Sequence, residues 1–282
     1  MSQRVIVTGA VGRVGSVTAS HLRERGHEVI ATDVRPSDDP AAPVDVLDLV
    51  DTQAVHDWIA AARADAIVHL GNHPAPQPRL GEARVYNNNV AMNMNVFQAA
   101  HDLGIAKIVF ASTIQVICSQ PLPEGQRRPV EVAYLPLDGD TPPSPGNSYG
   151  LSKLASEQML DYFEAIGPLE AVSLRFPALP DGPPDERRRS RLGPDKVGQG
   201  FAWLARRDAA RLIAAVLDSS LPGHRRYLPA AAAPNSDEPV DRLLERHYQG
   251  VPRRKEPLDR LVDISRIEAD TGWTPVEGNE RP

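Results

Sequence analysis

Cysteine is almost absent from this 282-residue chain: Cys118 stands alone. One thiol cannot close a disulfide within a chain, and a cysteine-built metal site is excluded. Cys118 therefore reads as a small apolar filler, and a reducing cytoplasm is the expected compartment. Long apolar runs are also missing, so no membrane-spanning helix is expected. Nor is there an excess of positive charge. The 31 basic and 37 acidic residues leave a formal −6, which argues against a general binder of nucleic acid or membrane surfaces. The opening residues MSQRVIVTGA enter a strand directly, so no signal peptide is expected. Six histidines, at 21, 27, 56, 101, 224 and 247, form no metal-ligand spacing with nearby acids, and no metal is expected.

What is present is an ordinary soluble composition, 41% hydrophobic and 24% charged, on a chain long enough for one large domain or two unequal ones. Strand-like and helix-like segments alternate. RVIVTGA (4–10) is an apolar run ending in glycine, and a helix from about Val14 to Arg25 is stopped by Gly26. HEVIATD (27–33), VDVLDL (44–49), AIVHLG (66–71), KIVFAST (107–113) and AVSLRF (171–176) read as further strands. Helices are expected near 51–63, 83–103 and 149–166, then near 207–219 and 237–248, with a short strand at 225–230. Such alternation implies parallel strands joined by crossover helices, an α/β fold of the Rossmann-type doubly wound kind. The predicted division is a nucleotide-binding domain over 1–170 and a smaller, mainly substrate-binding region over 171–282, with segments returning to the first. Two long irregular stretches, 119–147 and 177–200, interrupt the rhythm where ligands bind in such sheets.

The first strand turns into its helix through TGAVGRVG (8–15), with Gly9, Gly12 and Gly15 three apart. Glycines there permit a tight turn and close backbone approach, and the helix N-terminus offers free amides to a pyrophosphate. Arg13 and Val14 lie in the same turn. Asp33 ends the second strand, where a carboxylate accepts from both adenosine ribose hydroxyls and repels a 2′-phosphate, favouring NAD over NADP. Arg13 and Arg35 nearby keep NADP open, and a plain turn residue is the alternative reading of Asp33. Asp48 is either an acceptor for the adenine amino group or a helix-capping carboxylate.

GNSYGLSKLASEQ (146–158) places Tyr149 and Lys153 four residues apart, on one face of a helix. A free tyrosine, with a pKa of about 10, is a poor base at neutral pH, and a neighbouring ammonium lowers that value. A hydroxyl opposite, supplied by Thr113 after Ser112, orients a substrate oxygen.

TGAVGRVG, Asp33, the strand ending in Ser112-Thr113, and YGLSK together resemble the extended short-chain dehydrogenase/reductase superfamily, in its NAD-dependent epimerase/dehydratase branch. The likeness covers most of 1–176 and reaches a C-terminal echo, VDISRIEADTGWTP (262–275). It implies Tyr149 as catalytic base or acid, Lys153 as its partner and Thr113 as the catalytic hydroxyl. By position it also implies cofactor contacts at Leu70, Gly71, Tyr149 and Lys153, with Asn89 as a supporting asparagine of the long helix. Ser112 becomes an adjoining substrate contact, and the resemblance implies a homodimer through the two long helices.

Three departures narrow the reaction. Nucleotide-sugar dehydratases follow the catalytic threonine with Asp-Glu, where this chain has Ile114-Gln115, so elimination by that route is not expected. The asparagine that contacts a nucleotide diphosphate in UDP-sugar epimerases is missing from Arg175-Phe176-Pro177-Ala178. The C-terminal region is also short for a nucleotide-sugar enzyme. The expected activity is thus NAD-dependent hydride transfer at a secondary hydroxyl of a sugar or sugar acid, as dehydrogenase or epimerase. His73, Gln115 and Arg175 are the candidate substrate contacts besides Ser112 and Thr113, and the arginines at 187–189 and 191 are candidates for an anionic group. A nucleotide-sugar 4-epimerase is the alternative, and an NAD-responsive binding protein is the non-enzymatic one.

Overall fold

Apolar side chains alternate across the first strand. Val5 and Val7 join one buried cluster while Ile6 joins the other, as the two-residue period of a strand covered on both faces requires. The computed structural model describes residues 2–74, 81–118, 131–191 and 193–278. Its sheet has seven parallel strands in the order β3-β2-β1-β4-β5-β6-β7. They are β1 (Arg4–Thr8), β2 (Glu28–Asp33), β3 (Asp45–Val46), β4 (Ala66–His69), β5 (Lys107–Thr113), β6 (Glu170–Phe176) and β7 (Gly223–Tyr227). The chain reverses direction along the sheet between β1 and β4, which opens a crevice at their carboxyl ends.

One face is covered by α1 (Arg13–Glu24) and α7 (Arg206–Asp218), packed on Val5, Val7, Val68 and Val109. The other face carries α2 (Thr52–Ala62), α3 (Glu82–Asp102) and α4 (Ser148–Ile166), with Val96, Phe97, Leu160 and Phe163 against Ile6, Ile67 and Phe110. The remaining helices are α5 (Glu186–Ser190), α6 (Pro194–Gly198), α8 (Val240–His247) and α9 (Ser265–Thr271). The doubly wound parallel sheet expected from the sequence is the fold of the chain.

Two expectations need correction. The strand read over 44–49 is only Asp45–Val46. It is the sheet's edge, and the Asp48 carboxylate turns the chain by accepting the Val50 N–H at 3.0 Å before Asp51 caps α2. The stretch 177–200 is not irregular throughout, because α5 and α6 lie within it, with Asp185 capping the first. Of the 119–147 loop, residues 119–130 lie outside the described residues. The segment over 171–227 does return to the sheet, through β6 and β7.

Candidate active site

The glycine turn is shaped by contacts that no side chain would fit. Gly9 has φ +68°, and a Cβ there would stand 2.8 Å from the backbone of Gly71. A Cβ on Gly15 would stand 2.0 Å from the Gly9 carbonyl oxygen, so α1 can approach the turn only with hydrogen at that position. Gly12 is the N-cap of α1 and supplies no side-chain cap, and the first turn of that helix carries no acidic residue. Its leading amides are therefore left for an anion. Asp33, at the end of β2, accepts the Val11 N–H at 3.0 Å, which fixes its carboxylate beside this turn. Arg13 is exposed and Val14 half-buried on the first turn of α1. These residues could hold a dinucleotide, the glycine turn offering amides to a pyrophosphate and Asp33 an acceptor to a ribose.

Asp48 is neither a helix cap nor enclosed. It is exposed and engaged in its own turn, with Asp51 as the cap.

The proton-handling residues meet where β5, the first turn of α4 and the end of β4 converge. Asn147 caps α4 by accepting the Gly150 N–H at 2.8 Å. Gly150 lets that first turn touch the short 3₁₀ segment Ile114–Val116, since a Cβ there would stand 2.5 Å from the Gln115 carbonyl oxygen. The approach sets the Thr113 hydroxyl beside the Tyr149 phenol, close enough to lower its pKa. One turn further along α4, Lys153 is 2% exposed, with Nζ 5.9 Å from the centre of the Tyr149 ring and 4.5 Å above that of Phe110. Its ammonium donates to the Ala111 carbonyl and to Asn72 Oδ1, both at 2.6 Å.

Burial shapes the protonation of this pair. It pushes the Tyr149 phenol up to about 12, partly countered by the Thr113 hydroxyl. The same enclosure pulls the Lys153 ammonium down to about 7, and Glu157 one turn on pulls it back up. At neutral pH the resting site therefore holds a phenol beside a lysine poised between its two states.

Behind the site lies a buried polar layer of which the sequence singled out only Asn89. Asn89 and Asn93, one turn apart on α3, face Ser152 and Ser156, one turn apart on α4, at 3.3 and 2.6 Å. Asn89 also clamps the loop after β4, accepting the His73 N–H at 2.9 Å and donating to the His73 carbonyl at 3.2 Å. It thus supports the site from behind. His69, paired with Thr8 across β4 and β1, is 1% exposed. Thr8 Oγ1 accepts the Leu70 and Gly71 N–H groups at 3.1 and 3.0 Å, so its own proton goes to His69 Nδ1 at 2.7 Å. Desolvation, reinforced by nearby Lys153, drives the His69 pKa down to about 3, and the ring is a neutral Nε2–H tautomer donating to Asn93 Oδ1 at 2.7 Å. A polar residue every fourth position on both long helices was the available signal.

The expected substrate contacts divide. Thr113 lies in the cleft. Gln115 follows it, with its side-chain oxygen accepting from Asn147 Nδ2 at 2.9 Å, which leaves its amide hydrogens for a ligand. His73 is half-buried, its Nε2 accepting from Asn88 at 3.2 Å, and burial together with Arg84 lowers its pKa so that it is neutral. Arg175 and Ser112 do not reach the cleft. Arg175 is 3% exposed and grips Glu157 with Nε at 3.1 Å and Nη2 at 2.8 Å, while Nη1 donates to the Thr141 carbonyl. Ser112 donates to the same carboxylate at 2.6 Å. A buried carboxylate between two helical turns and two strands claims both groups, which removes them from substrate contact. Of the arginine run, Arg189 is bound to Asp237 and the Pro184 carbonyl. Among the described residues no group of His, Cys, Asp and Glu is arranged to hold a metal ion.

The sequence model of the NAD-dependent epimerase/dehydratase family matches residues 5–192. Over 281 residues the chain is 28% identical to an NAD-dependent glucose-6-phosphate dehydrogenase of Haloferax volcanii, covering 92% of this chain and 99% of that one. It is 31% identical to a UDP-glucose 4-epimerase of Azospirillum brasilense, over 62% of this chain and 49% of that one. The crystal structure of a uronate dehydrogenase from Agrobacterium tumefaciens superimposes with a TM-score of 0.68 at 25% identity, covering 98% of this chain and 85% of that one.

Proposed function

This chain belongs to the NAD-dependent epimerase/dehydratase family, and from that premise we propose that it oxidises a secondary hydroxyl of a sugar or sugar acid and releases NADH. The observation that carries the reading is the buried Tyr149 phenol beside Thr113, whose hydroxyl lowers its pKa, one helical turn from buried Lys153.

Oxidation of a carbinol to a carbonyl releases one proton from oxygen and one hydride from carbon. Bound NAD supplies the two-electron acceptor and a positive charge. Thr113 holds the reacting oxygen through its hydroxyl, and Tyr149 takes the proton. Burial alone makes the phenol a weak acid, at about 12, so its ionisation depends on positive charge nearby. Lys153 supplies that charge within the protein, its ammonium held by Ala111 and Asn72. Gln115 and the neutral His73 stand next to this position as candidate partners for further hydroxyls.

The dehydrogenase outcome is favoured over epimerisation by the extent of the likeness. The match to the glucose-6-phosphate dehydrogenase runs through 92% of this chain, and that to the epimerase through 62%. Neither Arg175 nor Ser112 is free to hold a nucleotide diphosphate, which supports a smaller substrate. A homodimer belongs to the same reading: Leu151, Tyr162 and Ile166 form an exposed stripe along α4, and Met94 is exposed on neighbouring α3. A cytoplasmic location is the compartment we propose, in keeping with a buried, unpaired Cys118.

The test is absorbance at 340 nm with NAD or NADP across free sugars, sugar phosphates, uronic acids and nucleotide sugars. Stoichiometric NADH with one of the first three classes supports the reading. Isomer formation from a nucleotide sugar without net NADH overturns it.

A further inference from the structure

Lys153 is held by a side chain that the proton chemistry does not itself require. Asn72 lies just past β4, and its two amide hydrogens are both committed, to the Gly71 carbonyl at 2.5 Å and to Asn93 Oδ1 at 2.7 Å. Its oxygen is thereby forced toward the Lys153 ammonium, 2.6 Å away. Flipping the amide would set two donors against three, so the orientation is fixed by the partners. Asn93 is itself locked. Its oxygen accepts from Asn72 and from His69 Nε2, and its nitrogen donates to Ser156 at 2.6 Å, whose hydroxyl donates to the Ser152 carbonyl at 2.8 Å. His69 is locked in turn by Thr8, which also binds the Leu70 and Gly71 amides beside the glycine turn. The run begins at the nucleotide turn and ends at the lysine.

We propose that Asn72 is a positioning residue that holds the Lys153 ammonium, with Asn93 and His69 aligning it, so that the dinucleotide turn and the proton-handling lysine are set by one hydrogen-bonded assembly. The inference rests on the role given to Lys153 above. Its physical content is that a lysine 2% exposed stays protonated only while acceptors meet its hydrogens, and Asn72 is one of its two among the described residues, the other being the fixed carbonyl of Ala111. The other titratable and charged groups around it are Tyr149 and Glu157 on its own helix, neutral His69 on β4, and Arg175 on β6 and Arg226 on β7, both of which face Glu157. None of them touches Asn72.

The experiment needs neither a substrate nor turnover. Lys107, Lys153, Lys196 and Lys255 are the only lysines of the chain, so the full-length protein labelled with ¹³C at lysine Cε gives a spectrum of four resonances, each assigned by a Lys→Arg variant. Titration from pH 5 to 11 follows each amine, with circular dichroism confirming the fold. In the unaltered protein the Lys153 signal titrates near neutrality, at about 7. Asn72→Leu removes the acceptor and lowers that midpoint by about one pH unit or more, and Asn93→Leu lowers it by less. Asn72→Asp, close in shape, places a carboxylate there and raises the midpoint by a similar amount. A Lys153 midpoint that moves by less than a few tenths of a pH unit in Asn72→Asp overturns the proposal, even if Asn72→Leu fails to fold. Loss of the dehydrogenase reading would show instead as absence of NADH formation with these titrations intact.

Discussion

Replacing Glu157 tests whether Arg175 is a structural cation or a substrate ligand. The Glu157 side chain is fully buried, and each of its oxygens serves two donors: Ser112 and Arg175 on Oε1, Arg175 and Arg226 on Oε2. Arg226 has a second counter-charge in Asp161, on the same helix, but among the described residues Arg175 has only Glu157 and a single carbonyl. Glu157→Gln keeps the volume and removes the charge, leaving a guanidinium 3% exposed without a counter-ion. Breaking a buried pair in this way costs about 3–5 kcal/mol, a large share of the roughly 5–15 kcal/mol that holds a domain folded. The double variant Glu157→Leu/Arg175→Met removes both charges and loses less than the sum of the two single losses, because no charge is orphaned. Urea denaturation of the singles and the double at pH 7, followed by circular dichroism, measures all three. A loss below about 1 kcal/mol in Glu157→Gln, or a double variant that loses the full sum, refutes the reasoning. An Arg175→Met protein of unchanged stability and raised KM would return Arg175 to the substrate.

Other expectations follow from the same geometry. His69 is neutral when folded and titrates near 6.5 when unfolded, so the unfolded chain binds more protons between pH 6.5 and about 3. Its contribution is complete above 6.5 and declines as pH falls through that window, by about 2 kcal/mol at pH 5. Denaturation midpoints of the unaltered protein and His69→Leu should therefore converge on acidification, and a constant gap from pH 7.5 to 5 contradicts the assignment. Gly15→Ala places a methyl group 2.0 Å from the Gly9 oxygen and should abolish NAD binding in calorimetry while the circular dichroism spectrum persists. Binding of NAD with undiminished affinity by that variant would mean that the turn does not hold the pyrophosphate.

The parts of this protein that sequence exposes are those governed by short-range rules. The inner strands show because they are apolar on both faces, and the glycine turn shows because no side chain fits at Gly9 or Gly15. Tyr149 and Lys153 show because both sit on one helix at a fixed interval. What the sequence hides depends on pairing between elements. Glu157 is a helical turn past Lys153 and looks like a surface carboxylate until β6 brings Arg175 against it. Asn72, Asn93 and His69 lie on a loop, a helix and a strand, and only the packing of α3 over β4 joins them. The reading of Arg175 as a substrate ligand failed for the same reason, since a cation at a strand end declares its charge but not its partner. Asp48 stood between two readings, and the capping one fell to Asp51, while Asp48 accepts the Val50 N–H in a turn at the sheet edge.

The central claim is that Tyr149 moves the proton at a site built to hold NAD. Tyr149→Phe keeps the ring and removes only the hydroxyl, so calorimetry should show NAD bound as tightly as in the unaltered protein. NADH formation on the best sugar substrate should fall by about 10²–10⁴-fold, the usual contribution of a positioned acid–base group. Turnover that survives undiminished in that variant, with NAD bound, contradicts the account.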